Sequence, residues 1–171
     1  MKHFTNLELH NNRGEVLPDI NWDYRYEEWK KSHPGEFVFG PIIKHTWKID
    51  GKVFARLNPK NESLNSLPDF SGFLLCEKNP RVDNLVLLDV YGVERIRLAP
   101  PWEMTGVEFV EGGKEQVNFL GIASPWDNPA TGEKGKFGVS TTSFDRWGGA
   151  YYFELDWLTG RFLWCYGLER G

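Results

Sequence analysis

The sequence is poor in the residues that announce chemistry. Cysteine occurs twice in 171 residues, at Cys76 and Cys165. No Cys-x-x-Cys spacing exists, which excludes a cysteine-built zinc site. Each cysteine lies within an apolar, strand-like run, as small buried thiols do. A disulfide between them requires those two runs to adjoin. No apolar run approaches the length of a membrane span. The first residues, MKHFTNLELHNNRGE, lack the roughly ten-residue apolar core of a secretion signal. A cytoplasmic location without membrane contact is therefore expected. A basic surplus is missing too: 20 Lys and Arg stand against 24 Asp and Glu, a net charge of −4. That balance argues against nucleic acid as a partner and suits a basic protein partner.

Catalytic motifs fail one by one. There is no Gly-x-Ser-x-Gly elbow. His3, His10, His33 and His45 do not have metal-ligand spacing, and His45 reads as a satisfied structural residue of a strand. Gly112-Gly113 and Gly148-Gly149 lack the Lys-Ser/Thr of a phosphate loop. Asp127 to Glu133 only glances at a calcium loop, because Pro129 stands at a ligand position and the terminal Glu comes too early. Glu154-Leu155-Asp156 puts two carboxylates on one face of a strand. The pair superficially resembles the E-x-D-x-x-E phrase of β-glucanase-type hydrolases, but Thr159 occupies the place of the third carboxylate. The expectation is no catalytic residue, no metal and no cofactor. Asp156 should shape a turn, with Glu154 solvated or paired with Arg161.

What the chain has is aromatic residues, 15% of the total with eight Trp, beside an ordinary 40% hydrophobic and 26% charged content. The length suits one domain, residues 1–171. Tyr151–Leu168, YYFELDWLTGRFLWCYGL, reads as two strands around a turn. Tyr151, Phe153 and Leu155 should share one face. Phe162, Trp164 and Tyr166 should share a face of the second strand. Because Arg161–Leu168 is apolar on both faces, it is expected in the middle of a sheet. Leu87–Leu98 repeats the grammar, with Asp89 opening and Gly92 closing a type I turn and bulge. Asp50-Gly51 predicts a two-residue I′ turn between strands within Glu36–Leu57. Shorter strands are expected at Phe4–Leu9, Phe73–Cys76, Val107–Val110, Val117–Ala123 and Phe137–Thr142. Asn58–Ser71 and Ser124–Lys136 read as loops. Trp22–Lys31 predicts the helix, with Trp22, Tyr26 and Trp29 on one face, Asp19 or Asn21 as cap, and Ser32-His33-Pro34-Gly35 as stop. The fold class is thus mainly β: an antiparallel meander, sandwich or partly closed barrel, of about nine or ten strands with one short N-terminal helix.

Two features suggest a binding surface. Trp102, Trp126 and Trp147 each sit beside turn residues, where an aromatic plugs a core end, anchors a protein contact or stacks on a sugar. Residues 102–116 are acidic, with Glu103, Glu108, Glu111 and Glu115 against Lys114.

The phrases NLVLLDVYGVERIRLAPPW, residues 84–102, and YYFELDWLTGRFLW, residues 151–164, resemble those of small all-β bacterial immunity-type proteins of polymorphic toxin systems. The resemblance covers those two hairpins. It implies a non-enzymatic protein that neutralises a cognate toxin by binding and covering its active site. Trp102, Glu103, Glu108, Glu111, Trp126 and Asp127 would then meet a basic toxin domain. A carbohydrate-binding module using Trp126 and Trp147, and a hydrolase with a non-standard carboxylate site, are the competing readings.

Overall fold

A computed structural model of the chain describes residues 1–18, 22–35, 40–79, 81–109, 112–114, 117–142 and 150–168. Its strands are β1 (Thr5–Asn11), β2 (Val16–Pro18), β3 (Ile42–Ile49), β4 (Lys52–Leu57), β5 (Ser63–Ser66), β6 (Gly72–Cys76), β7 (Leu85–Asp89), β8 (Glu94–Leu98), β9 (Phe119–Ala123), β10 (Gly138–Thr141), β11 (Ala150–Asp156) and β12 (Arg161–Leu168). One helix, α1 (Trp22–Ser32), follows β2, and Trp102–Met104 forms a 3₁₀ turn. Three antiparallel four-stranded sheets result, in the orders β2-β1-β3-β4, β5-β6-β7-β8 and β12-β11-β10-β9. The chain divides into two compact units. The first is Met1–Phe73 with Leu88–Val93, and the second is Leu74–Leu87 with Glu94–Gly171.

In the first unit the β3–β4 hairpin forms as its turn demands. Asp50 and Gly51 both take positive φ, 50° and 79°, which a I′ turn requires. His45, Trp47 and Ile49 point inward and are buried. Trp47 packs on Phe73 at 4.8 Å, Phe73 stacks on Phe4 at 4.4 Å, and the Trp47 indole N–H donates to the Val90 carbonyl at 2.8 Å. A second cluster joins Leu9, Leu17 and Trp29, so α1 is held to β1 and β2 by its last aromatic. Glu15 secures this join. It accepts from the Trp29 indole at 2.8 Å, from Asn11 at 3.0 Å and from Arg13 at 2.7 Å. The Trp29 and Asn11 bonds hold its carboxyl down at about 2.

The Asp89 turn also follows its sequence. Gly92 has φ 77°, its N–H donates to the Asp89 carbonyl at 3.0 Å, and the Asp89 carboxylate accepts from Tyr91 and Val93. In the second unit Asp156 does the same work, taking the Leu158 N–H at 3.0 Å and the Thr159 hydroxyl at 2.7 Å.

Several expectations are corrected. Twelve strands are present among the described residues: β5 lies in the stretch that reads as the Asn58–Ser71 loop, and β2 lies where no strand is expected. Val107–Phe109 is not a strand. Arg161–Leu168 is not central: β12 is the edge of its sheet and only partly buried, while β11 lies inside and is the covered strand. Apolar residues on both faces meant aromatic contacts on both faces, not a neighbour on both edges. Nor do Phe162, Trp164 and Tyr166 share a face. A register shift sets Glu154 opposite Trp164 and Leu155 opposite Phe162. Leu163 is the extra residue and is 55% exposed; the bulge turns Phe162 toward Phe153 at 5.5 Å and Trp164 toward Tyr152 at 5.2 Å. Among the described residues no disulfide joins Cys76 to Cys165. The expected caps Asp19 and Asn21 lie outside the described residues, as do the side chains of Trp22 and Tyr26.

His45 is buried as a strand residue, but its Nδ1 has no hydrogen-bond partner among the described residues. Burial pushes its imidazole down to about 4, with nearby Arg56 and His10 adding to the effect. Between pH 4 and pH 6.5 the unfolded chain therefore binds a proton that the folded chain refuses, so stability falls as pH drops through this window. The loss expected from this group is about 3 kcal/mol. Urea unfolding at pH 4.5 and pH 7 should show a steeper acid loss in the native chain than in His45→Leu.

Candidate functional site

The site is built from β11 outward. Tyr152, Phe153, Glu154 and Leu155 are all buried. Phe153 faces Phe119, Trp102 and Phe162. Tyr152 and Glu154 point to the opposite side. A carboxylate 4% exposed is costly unless hydrogen-bonded, and this one is well supplied. Glu154 Oε1 accepts the N–H groups of Lys136 at 2.6 Å and Phe137 at 3.2 Å, while the Tyr152 hydroxyl donates to Oε2. Burial, then the Glu154 bond, push the Tyr152 hydroxyl well above the usual phenol range. The ring needs Gly138 beneath it: a Cβ there would lie 1.9 Å from Tyr152.

Lys136 and Phe137 end the Ser124–Lys136 segment, so Glu154 fastens that segment to β11. The segment also binds itself. Asn128 N–H donates to the Glu133 carbonyl and Gly132 N–H to the Asn128 carbonyl, both at 2.8 Å. Gly135 allows close approach, since a Cβ would meet the Trp126 carbonyl at 2.2 Å. Trp126 is thereby displayed, not loose. It stacks on Tyr166 at 5.3 Å and remains 46% exposed. Asp127 beside it is exposed and bonded to Lys134 at 2.6 Å.

The other named residues separate. Trp102 is 5% exposed and packs on Phe109 at 4.8 Å and Tyr151 at 6.1 Å; it plugs the core. Glu103 and Glu108 are exposed. Glu103 lines an open groove of about 390 Å³ formed by Leu98–Pro101, Met104 and Gly160–Phe162. Glu111 and Trp147 lie outside the described residues. Glu154 is neither solvated nor paired with Arg161, and Asp156 is taken up by its turn. The Glu154-x-Asp156 pair thus shares no open face.

Behind the site, Asn84 pairs with the backbone of Phe119, donating to its carbonyl and accepting its N–H, each at 2.9 Å. Arg97 grips Glu77 at 2.6 Å and Glu94 at 2.8 Å. Glu154 and Asn84 are the residues that reading the sequence missed. Within β11 alone Glu154 falls on the polar side of the alternation. Only its contact with Lys136 and Phe137, eighteen and seventeen residues away, marks it as an anchor.

Glu154→Gln keeps one acceptor oxygen but loses the charge, and should cost about 2 kcal/mol. Glu154→Ala leaves two backbone donors and a hydroxyl buried without a partner and should cost more. Chemical denaturation gives the order, and Trp126 fluorescence should shift to the red in both variants.

No family model and no curated protein matches the sequence. Among solved structures, a chain of "Structure of Tne2 in complex with Tni2" is similar, with a TM-score of 0.63 at 10% identity, over 97% of this chain and 99% of that one. At that identity the likeness is one of fold.

Proposed function

We propose that this chain is a bacterial, cytoplasmic protein-binding domain that neutralises a cognate toxin by covering the toxin's active site. The observation that carries this reading is the fold likeness, which extends over almost the whole of both chains and comes from a toxin–immunity complex. The absence of a helix long and apolar enough to cross a membrane among the described residues accords with it.

In this reading the contact surface takes in Trp126 and Asp127 on their fastened segment, Glu103 at the groove and the exposed Glu108, together with Glu111, which lies outside the described residues. Trp126 supplies a rigid aromatic anchor, and the carboxylates meet a basic surface on the toxin. Trp102 serves from inside, holding the 3₁₀ turn that carries Glu103. The chain acts as a single all-β domain, and one cooperative unfolding transition is expected.

Co-expression with the product of the neighbouring gene tests the proposal. Growth should fail with that product alone and recover when this chain is present, and the two should co-purify. A harmless neighbour, or no complex with it, removes the reading. Glu103→Lys with Glu108→Lys should slow association about tenfold at low salt, with a smaller effect at high salt. Trp126→Ala should instead speed dissociation.

A further inference from the structure

The sheet edges among the described residues differ in how they are protected against pairing. β2 is three residues long and ends in Pro18. β5 has four residues. β8 carries Glu94, Arg95 and Arg97. β9 is bulged against β10, and β12 against β11. Short strands, prolines, charges and bulges are the usual protections of an edge. β4 carries Lys52 and Arg56 but is neither short nor bulged. Its six residues pair with β3 in unbroken register, from Lys44 opposite Leu57 to Ile49 opposite Lys52. It ends its sheet, and two of its apolar residues are open, Val53 at 65% and Leu57 at 75% exposure.

The direction of its backbone can be read. Asn58 N–H donates to the Ile43 carbonyl at 2.7 Å. In an antiparallel ladder, hydrogen-bonded pairs alternate with non-bonded ones. Residues 52, 54, 56 and 58 therefore bond to β3, and the N–H and C=O groups of Val53, Ala55 and Leu57 point away from it. Among the described residues they are not bonded by another strand, and they form a template of three donors and three acceptors.

We propose that this edge pairs with β4 of a second copy, antiparallel about a two-fold axis at Ala55, joining two four-stranded sheets into one of eight strands. The side chains choose this partner. Centred on Ala55, the pairing sets Val53 against Leu57 of the second copy, an apolar pair made twice. It sets Phe54 against Arg56 of the second copy, a cation over a ring, also made twice. A two-residue slip in one direction places Arg56 against Arg56, and in the other Lys52 against Arg56. Like charges directly opposite destabilise a sheet, so one register is favoured. Each apolar pair is flanked by Lys44 of one copy and Lys48 of the other, three strand spacings apart, roughly 14 Å. Salt screens charges at that distance. The contact is isologous, so it closes at two copies.

Sedimentation equilibrium of the full chain over a dilution series tests this. The mass should rise from 19.8 kDa toward twice that value. Ala55→Cys should give a reducible dimer, because a hydrogen-bonded antiparallel pair holds its Cα atoms about 5.5 Å apart. Val53→Cys alone should link no better than the native chain, whereas a mixture of Val53→Cys and Leu57→Cys should link. Ala55→Pro removes an outward N–H that β3 does not use, and should leave a folded monomer. A mass of one chain throughout, with Ala55→Cys linking no more than the native chain, overturns the proposal. Equal linking by Val53→Cys and Ala55→Cys overturns the register.

Discussion

The buried carboxylate of Glu154 is the constraint around which the second unit is arranged. Its two oxygens take three donors, the Tyr152 hydroxyl and the Lys136 and Phe137 N–H groups. Each donor imposes a condition. Tyr152 reaches it only because Gly138 has no side chain, and Lys136 only because Gly135 lets the chain pass close to the Trp126 backbone. The free energy needed to bury a carboxylate is offset by these bonds, and their loss is correspondingly expensive. The consequence reaches the surface, where Trp126 is held half-exposed against Tyr166. An aromatic whose position is fixed before contact loses little entropy when a partner arrives.

The opposite face of β11 is built differently. Phe153 and Tyr151 meet Trp102, Phe119 and Phe162 in edge and tilted geometries, which suit the quadrupoles of the rings. Here the high aromatic content of the chain is spent on the interior. One covered strand thus separates a dry aromatic core from a polar tie that orders a segment at the surface.

Local turn chemistry was the most legible part of the chain. Asp50-Gly51 and Asp89 to Gly92 form the turns their residues require, because those conformations depend on neighbours in sequence. The helix was legible from its aromatic spacing and the Ser-His-Pro-Gly stop. What depends on distant pairing was not. β12 looked central because both its faces are apolar, yet face coverage and edge coverage are separate properties. The Leu163 bulge, which splits Phe162 from Trp164, comes from the register with β11. β2 and β5 are only three and four residues long, and pair only because a neighbour offers its edge. Of the candidate site, Trp126 and Asp127 are displayed, Glu103 and Glu108 are exposed, and Trp102 is core. Sequence patterns could not sort them, since a tryptophan beside a turn can face either way. Glu154 was read as solvated or paired with Arg161 because an alternating strand usually has one wet face, and β11 has none.

Glu154 fastens the Trp126 segment to the core. Amide hydrogen exchange measures it directly. The Lys136 and Phe137 amides should exchange as slowly as those in the middle of β11, opening only with the whole unit. Exchange at those two amides as fast as at Ala130 or Thr131, in a chain whose β11 amides stay protected, would contradict it.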